Sequence, residues 1–373
     1  MKILALKEIA ANEKRVALTP DLVAKYNNIG YEVEIEAGAG VNAGIDDEEF
    51  TKAGAKIVDA AGAIANADII LKVAAPENSE IEKISKAKKD TVLVGILNPH
   101  FEKDKSKNYA DIGLSAFAVE LFPRITRAQS MDVLSSQSNL AGYRAVIDAV
   151  YELGVAVPMM MTAAGTISPA KIMIIGAGVA GLQAIATAKR LGGVVTAFDV
   201  RAAAREQVQS LGAKFIEVPN DENAETKGGY AKEMSDDYKK RQEQAIYDNI
   251  IKQDIVITTA LIPGKPAPKL ISEEMVKNMK PGAIIVDMAA VSGGNCVVTE
   301  PGKVVIKNGV KIIGYENIAS RIAKDASKLY SKNLYNFVEF ITDKEKKQIS
   351  INIEDEIIKS SLLTYQGKVL FSA

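Results

Sequence analysis

Histidine occurs once in the 373-residue sequence, as His100, and cysteine once, as Cys296. A single cysteine excludes any internal disulfide and fits a reducing compartment. A single histidine leaves one candidate for imidazole acid/base chemistry, and GILNPHFEK places it in a loop beside a proline and surface charges. No group of His, Cys and Asp has metal-ligand spacing, so no metal is expected. Charge of one sign is missing as well. The 46 basic and 47 acidic residues leave a formal net charge of -1, which gives no long-range attraction for nucleic acid or an anionic membrane. No uncharged apolar run reaches the roughly 20 residues of a membrane helix, since GVAVPMMMTAAGTI is shorter and interrupted by Pro158. The opening MKILALKEIAANEKRVALTP is broken at Lys7 and Glu8 and reads as a first strand, not a signal peptide.

What is present is ordinary for a globular enzyme: 47% hydrophobic and 25% charged residues, in a chain long enough for two domains. KILAL, YEVEIE, AKIV, DIILKV, TVLVGIL and IGLSAFAVELF read as short strands, with TPDLVAKYNNIG and DEEFTKAG as helices between them. NLAGYRAVIDAVYELG has helical spacing, with Asn139 placed to cap it. The alternation then restarts with KIMIIGAG, VVTAFDV, KFIEV, DIVITTA, AIIVDMA and VKIIGY. The predicted fold is α/β, with two Rossmann-like doubly wound domains and a cleft between them. The first domain comprises residues 1–137 and is completed by a returning segment from about 328 to 373; the second comprises 138–327. LYSKNLYNFVEFIT reads as a helix of the return, and KQISINIEDEIIKSSLLTYQGKVLFSA as a strand and a hairpin turning at Gln366-Gly367.

One motif carries chemistry on spacing alone. In KIMIIGAGVAGLQAIATAKRLGGVVTAFDV a strand runs into Gly176, Gly178 and Gly181, and a helix follows. The first glycine permits the turn, the second lets backbone approach a pyrophosphate, and the third lets helix pack on strand. The helix amides then hold the phosphates. Asp199 ends the second strand, 23 positions past Gly176. A carboxylate there accepts from an adenosine ribose and repels a 2'-phosphate, which favours NAD(H). The expected cofactor-binding positions are Gly176, Gly178, Val179, Ala180, Gly181, Asp199, Val200, Arg201 and, after the strand DIVITTA, Ala260.

RITRAQSMDVLSSQS, residues 124–138, brings Arg124, Arg127, Gln129 and Asp132 into one polar stretch between apolar segments. Taken alone it reads either as a solvated loop or as a site that grips a planar polar ligand. GGYAKEMSDDY reads as an exposed loop, Met159 to Met161 as core or interface packing, and Cys296 as an inert buried thiol. Asp287 reads as a strand-end cap. A dehydrogenase acting on an alcohol or amino acid must move a proton with the hydride. Transfer between two nicotinamides needs only ring placement and exclusion of water.

RAQSMDVLSSQSNLAGYRAV, PMMMTAAGT, GVAGLQAIATAKRLG, GGYAKEMS, TTALIPGKPAP and MKPGAIIVD together resemble the soluble NAD(H)-binding alpha component of proton-translocating NAD(P) transhydrogenase, over nearly the whole chain. Alanine dehydrogenase is the related family, similar in KRVALTP and around ALIPGK. Its catalytic His and Asp positions hold Ile96 and Val291 here, while Arg15 and Lys72 match its substrate-carboxylate residues. The resemblance implies that Arg124, Gln129, Asp132 and Ser135 hold the nicotinamide carboxamide and ribose. It implies that Tyr230 lies in a mobile loop closing over NAD(H). It further implies a homodimer, peripheral on the cytoplasmic face, with hydride passing between NADH and NADP+ on a partner. That partner would belong to the membrane-embedded subunits, which include the NADP(H)-binding beta subunit. An alanine-dehydrogenase-like oxidoreductase and a non-catalytic NAD(H)-sensing subunit are the alternatives.

Overall fold

A computed structural model describes residues 1–218, 235–262 and 264–371. They form two compact units, one of Met1–Gln137 with Ala319–Ala373 and one of Ser138–Ile318. The chain therefore returns to the first unit at Ala319, earlier than the predicted point near 328.

In the first unit β1 (Lys2–Ala5), β2 (Glu32–Glu36), β3 (Lys56–Val58), β4 (Ile69–Ala74), β5 (Val92–Ile96) and β6 (Ser115–Ala118) are parallel. Their order, β6-β5-β4-β1-β2-β3, is that of a doubly wound sheet. Ile3, Leu4, Ile69, Ile70, Leu93 and Val94 are buried whichever face they occupy. Such unbroken apolar strands need a helical layer on both sides. The crossovers carry α1 (Pro20–Asn28), α2 (Asp47–Lys52), α3 (Ala60–Ala63), α4 (Asn78–Ile84) and α5 (Lys103–Asp111).

After β6 comes a 3-10 turn over Val119–Leu121, and the polar stretch forms a second one over Thr126–Met131. The long helix α6 runs Val133–Glu152. It starts six residues before Asn139, so the predicted cap is wrong. Asp132 caps it instead: Oδ1 accepts the Ser135 amide at 2.8 Å and Oδ2 the Ser135 hydroxyl at 2.6 Å. Asn139, inside the helix, donates to Gln183 at 3.4 Å.

The second unit begins within α6, which is followed by an antiparallel hairpin, β7 (Met160–Thr162) with β8 (Gly165–Ile167). Met159, Met160 and Met161 are exposed, which overturns the core reading. Among the described residues the hairpin pairs with no other strand. Then β9 (Lys171–Ile175), α7 (Val179–Arg190), β10 (Val194–Phe198), α8 (Ala204–Ser210), β11 (Lys214–Phe215), α9 (Asp236–Ile250), β12 (Ile255–Thr258), α10 (Glu273–Asn278), β13 (Ile284–Asp287), β14 (Val304–Lys307) and β15 (Val310–Ile313) build a sheet ordered β11-β10-β9-β12-β13-β15-β14. Only the edge strand β14 is antiparallel.

The returning chain forms α11 (Ala323–Phe340) and the short pair β16 (Thr342–Asp343) and β17 (Gln348–Ile349). In the segment read as a strand and a hairpin, β17 supplies a strand, and α12 (Glu356–Ser361), which that reading lacks, intervenes before the hairpin, capped where Asp355 accepts the Ile357 amide at 2.9 Å. Ile357 and Ile358 are buried beneath it. The terminal hairpin, β18 (Leu362–Tyr365) and β19 (Lys368–Val369), extends the first sheet beside β6. It turns at Gln366 and Gly367 with φ of 49° and 73°, the left-handed pair that a two-residue hairpin turn requires.

Candidate functional site

The glycine turn lies where the strand order of the second sheet reverses, at the C-terminal ends of β9 and β12. Gly176 has φ 98°, and a Cβ there would stand 2.5 Å from the Thr259 hydroxyl. A Cβ on Gly181 would run into the Gly176 carbonyl, so helix and strand approach as closely as backbone allows. Gly178 is different: nothing lies within 4 Å of where its Cβ would be. Space in front of bare backbone at the start of α7 is what a pyrophosphate occupies. Val179 and Ala180 open that helix. A Cβ on Gly142 of α6 would strike the Ala180 carbonyl, so that helix is packed tightly behind the turn.

Asp199 joins the two sides of this turn. One oxygen accepts the Ala177 amide at 2.7 Å, and Arg201 closes back through its amide, Nε and Nη2 at 2.9, 2.9 and 2.8 Å. The carboxylate is thus aimed at the turn and already carries the Arg201 guanidinium. A ribose diol would exchange with part of that set. Val200 is partly buried, between Asp199 and Arg201.

Ala260 follows β12 and is held from below. Its amide donates to Asn295 Oδ1 at 3.1 Å, and its carbonyl accepts from Asn295 Nδ2 at 2.8 Å. Asn295 is held in turn by Asp287, which accepts the amides of Ala289, Asn295 and Cys296 and the hydroxyls of Thr258 and Thr299. With five donors at one buried carboxylate, Asp287 shapes the loop and is not free to receive a ligand. The Cys296 thiol is buried and pushed up by that burial to about 11, so it stays protonated.

In the first unit, Arg124 and Gln129 are exposed. Arg127 reaches Asp355 at 3.0 Å. Asp132 and Ser135 are brought together as the start of α6. The 3-10 segment is fastened from α11, where Asn333 and Asn336 both donate to the Ser130 carbonyl, at 2.9 and 2.8 Å. No local sequence signal indicates those two asparagines, which lie about 200 residues downstream of the carbonyl they hold. Tyr230 falls outside the described residues.

Arg15 and Lys72 are engaged by their own unit. Arg15 forms a two-point pair with Glu13 at 2.8 and 2.6 Å and donates to Gln137 at 2.8 Å. Lys72 sits between Glu8 at 3.1 Å and Glu80 at 2.6 Å. Burial pushes the Glu8 carboxyl up to about 7 despite Lys72 beside it. His100 lies exposed in a turn, edge-on to Phe371 with ring centres 5.2 Å apart. Ile96 ends β5, and Val291, 64% exposed, lies on a short turn after β13. Neither can transfer a proton.

Two doubly wound sheets, one bearing a glycine turn with an acid at its second strand, define a Rossmann-type dinucleotide-binding oxidoreductase. The family models for alanine dehydrogenase/PNT match residues 4–141 with the N-terminal domain and 145–372 with the C-terminal domain. The chain belongs to the alanine dehydrogenase/PNT family. The first part of NAD(P) transhydrogenase subunit alpha from Rhodospirillum rubrum is 52% identical over 378 residues, covering 100% of this chain and 98% of that one. The crystal structure of transhydrogenase from Sinorhizobium meliloti matches with a TM-score of 0.89 and 50% identity, covering 99% of this chain and 100% of that one. Alanine dehydrogenase of Methanococcus maripaludis is 31% identical, over 98% of this chain and 94% of its own.

Proposed function

We propose that this chain is the NAD(H)-binding alpha subunit of a proton-translocating NAD(P) transhydrogenase. NADP(H) would sit on a partner beta subunit, and membrane-embedded partners would hold this subunit peripherally on the cytoplasmic face. The observation that carries the reading is an intact dinucleotide turn in a chain whose two proton-transfer positions hold Ile96 and Val291. That combination suits hydride exchange between two nicotinamides, in which no substrate proton moves.

When bound, NADH supplies a hydride from its dihydronicotinamide ring. The turn from Gly176 to Gly181 and the first amides of α7 would bind its pyrophosphate. Asp199, with Val200 and Arg201, would take the adenosine ribose, and Ala260 would lie against the cofactor. Arg124, Gln129, Asp132 and Ser135 would orient the carboxamide and the second ribose, since that mixture of donors and acceptors matches an amide and a diol. Tyr230 would help exclude water.

Stopped-flow transfer from NADH to partner-bound NADP+, with this chain present or omitted, tests the reading. Fast transfer that depends on the chain supports it. NADH formation from L-alanine and NAD+ would move the assignment to the alanine branch, and binding without transfer to a sensor. Gln129→Ala should keep NADH affinity within a few-fold and slow transfer on the order of 100-fold, the scale of a misplaced reacting ring.

The hairpin β7–β8 and the end of α6 support a homodimer. Tyr151 is 85% exposed, Met161 77% and Met159 61%, apolar side chains that a second copy would cover.

A further inference from the structure

Glu120 lies in the 3-10 turn between β6 and the segment carrying Arg124, Gln129 and Asp132. Its Oε1 accepts the amides of Leu97 at 3.0 Å and Asn98 at 2.6 Å, which belong to the turn leaving β5. Asn98 is held there at φ 48°. The second oxygen, Oε2, is buried with no hydrogen-bond partner. One acid side chain therefore ties two loops together and leaves one oxygen without a hydrogen bond.

We propose that Glu120 is a positioning residue, a proton-dependent latch that fastens the base of the Arg124–Asp132 segment to the end of β5. The proposal rests on the reading of that segment as the one that orients the nicotinamide. Released from Leu97 and Asn98, Glu120 would free the entry to the segment, while Asn333 and Asn336 would still hold Ser130.

The sign of the proton effect follows from burial. Burial pushes the Glu120 carboxyl up to about 7, and the backbone amides of Glu120, Asn98 and Leu97 only partly offset it. In an opened loop the carboxyl returns to its ordinary value of 4.5. The latched form binds the proton more tightly, so protonation favours the latch and ionisation draws the side chain toward water. The latch is tightest below the ordinary value and weakens as pH rises through about 7. Linkage between those two values predicts that the opening constant rises about tenfold between about pH 6 and pH 8.

The groups around it do not reverse this sign. Tyr109 of α5 and Tyr330 of α11 sense its charge, and burial pushes both hydroxyls up, so they stay neutral. On α12, Glu356 and Lys359 are exposed, and the adjoining Asp355 is taken by Arg127. His100, two residues past Asn98, is exposed as well. Glu8 is a second carboxyl of this unit that burial pushes up to about 7, so it serves as the comparison.

Hydrogen–deuterium exchange of the Leu97 and Asn98 amides in the full chain, corrected for intrinsic rates, tests the latch at about pH 6 and about pH 8. Wild type and Glu8→Gln should each lose about tenfold in protection as pH rises, and Glu120→Gln should lose none. A flat wild-type profile overturns the latch without any variant. So does an unchanged pH dependence in Glu120→Gln, or its disappearance in Glu8→Gln. NADH affinity, titrated over the same range, separates the two readings. If protection depends on Glu120 but affinity does not follow it, the latch stands and the nicotinamide role of the segment fails.

Discussion

At the scale of single residues the carboxylates divide by what surrounds them. Asp199 is aimed at the glycine turn, and its hold on Ala177 and Arg201 leaves it placed for a diol. Asp199→Asn removes the charge and keeps the shape. It should weaken NADH binding roughly tenfold, the difference between charge-assisted and neutral hydrogen bonds, and narrow the preference for NADH over NADPH. Calorimetric titration with both cofactors checks this. Gly181→Ala should do more damage, because the added methyl meets the Gly176 carbonyl. Loss of NADH binding together with a drop in stability of about 1 to 3 kcal/mol is expected for such overpacking. Glu8 is a matter of stability. Folding raises its carboxyl from 4.5 to about 7, so its contribution is fully present below about 4.5 and is lost as pH rises through about 7, on the order of 3 kcal/mol in all. Relative to wild type, Glu8→Gln should therefore gain stability between about pH 5 and pH 8, which denaturant midpoints at the two values would show.

At the scale of elements, the helix α6 shows how a functional loop and a structural cap share residues. Asp132 and Ser135 bond to each other and begin the helix, and the same two residues are proposed to meet the nicotinamide ribose. Asp132→Ala should cost about 1 kcal/mol through the lost cap, visible in thermal melting, and should also slow transfer. Were the cap its whole duty, stability would fall and transfer would not. Much of the element pattern is legible in the sequence, because unbroken apolar strands and the turn residues Gln366-Gly367 are local signals. The cap is not, because Asn139 stands before a strongly periodic stretch, whereas the capping residue Asp132 lies seven positions earlier. The helix α12 is equally hard to see, because six residues with two buried isoleucines make too short a period to separate from a strand.

For the whole molecule, the open quantity is association. Tyr151, Met159 and Met161 are strongly exposed, and in the proposed homodimer a second copy would cover them. Met161→Asp should shift sedimentation toward the monomer while leaving the fold and NADH affinity intact. If the variant sediments as wild type does, the hairpin is not the contact.

The sequence by itself determined both doubly wound sheets and the glycine turn with its acid, since strand period, turn glycines and the Gly176-to-Asp199 spacing act over a few dozen residues. The tertiary structure decided how the remaining groups are held. Asn333 and Asn336 grip Ser130, Arg127 reaches Asp355, Asn295 supports Ala260, and Glu120 ties the entry of the polar segment to β5. Those bonds join residues separated by tens to hundreds of positions, and only packing brings them within reach. Packing also turned Arg15 and Lys72 into satisfied ion pairs, because in a buried site the nearest opposite charge settles what a cation can bind.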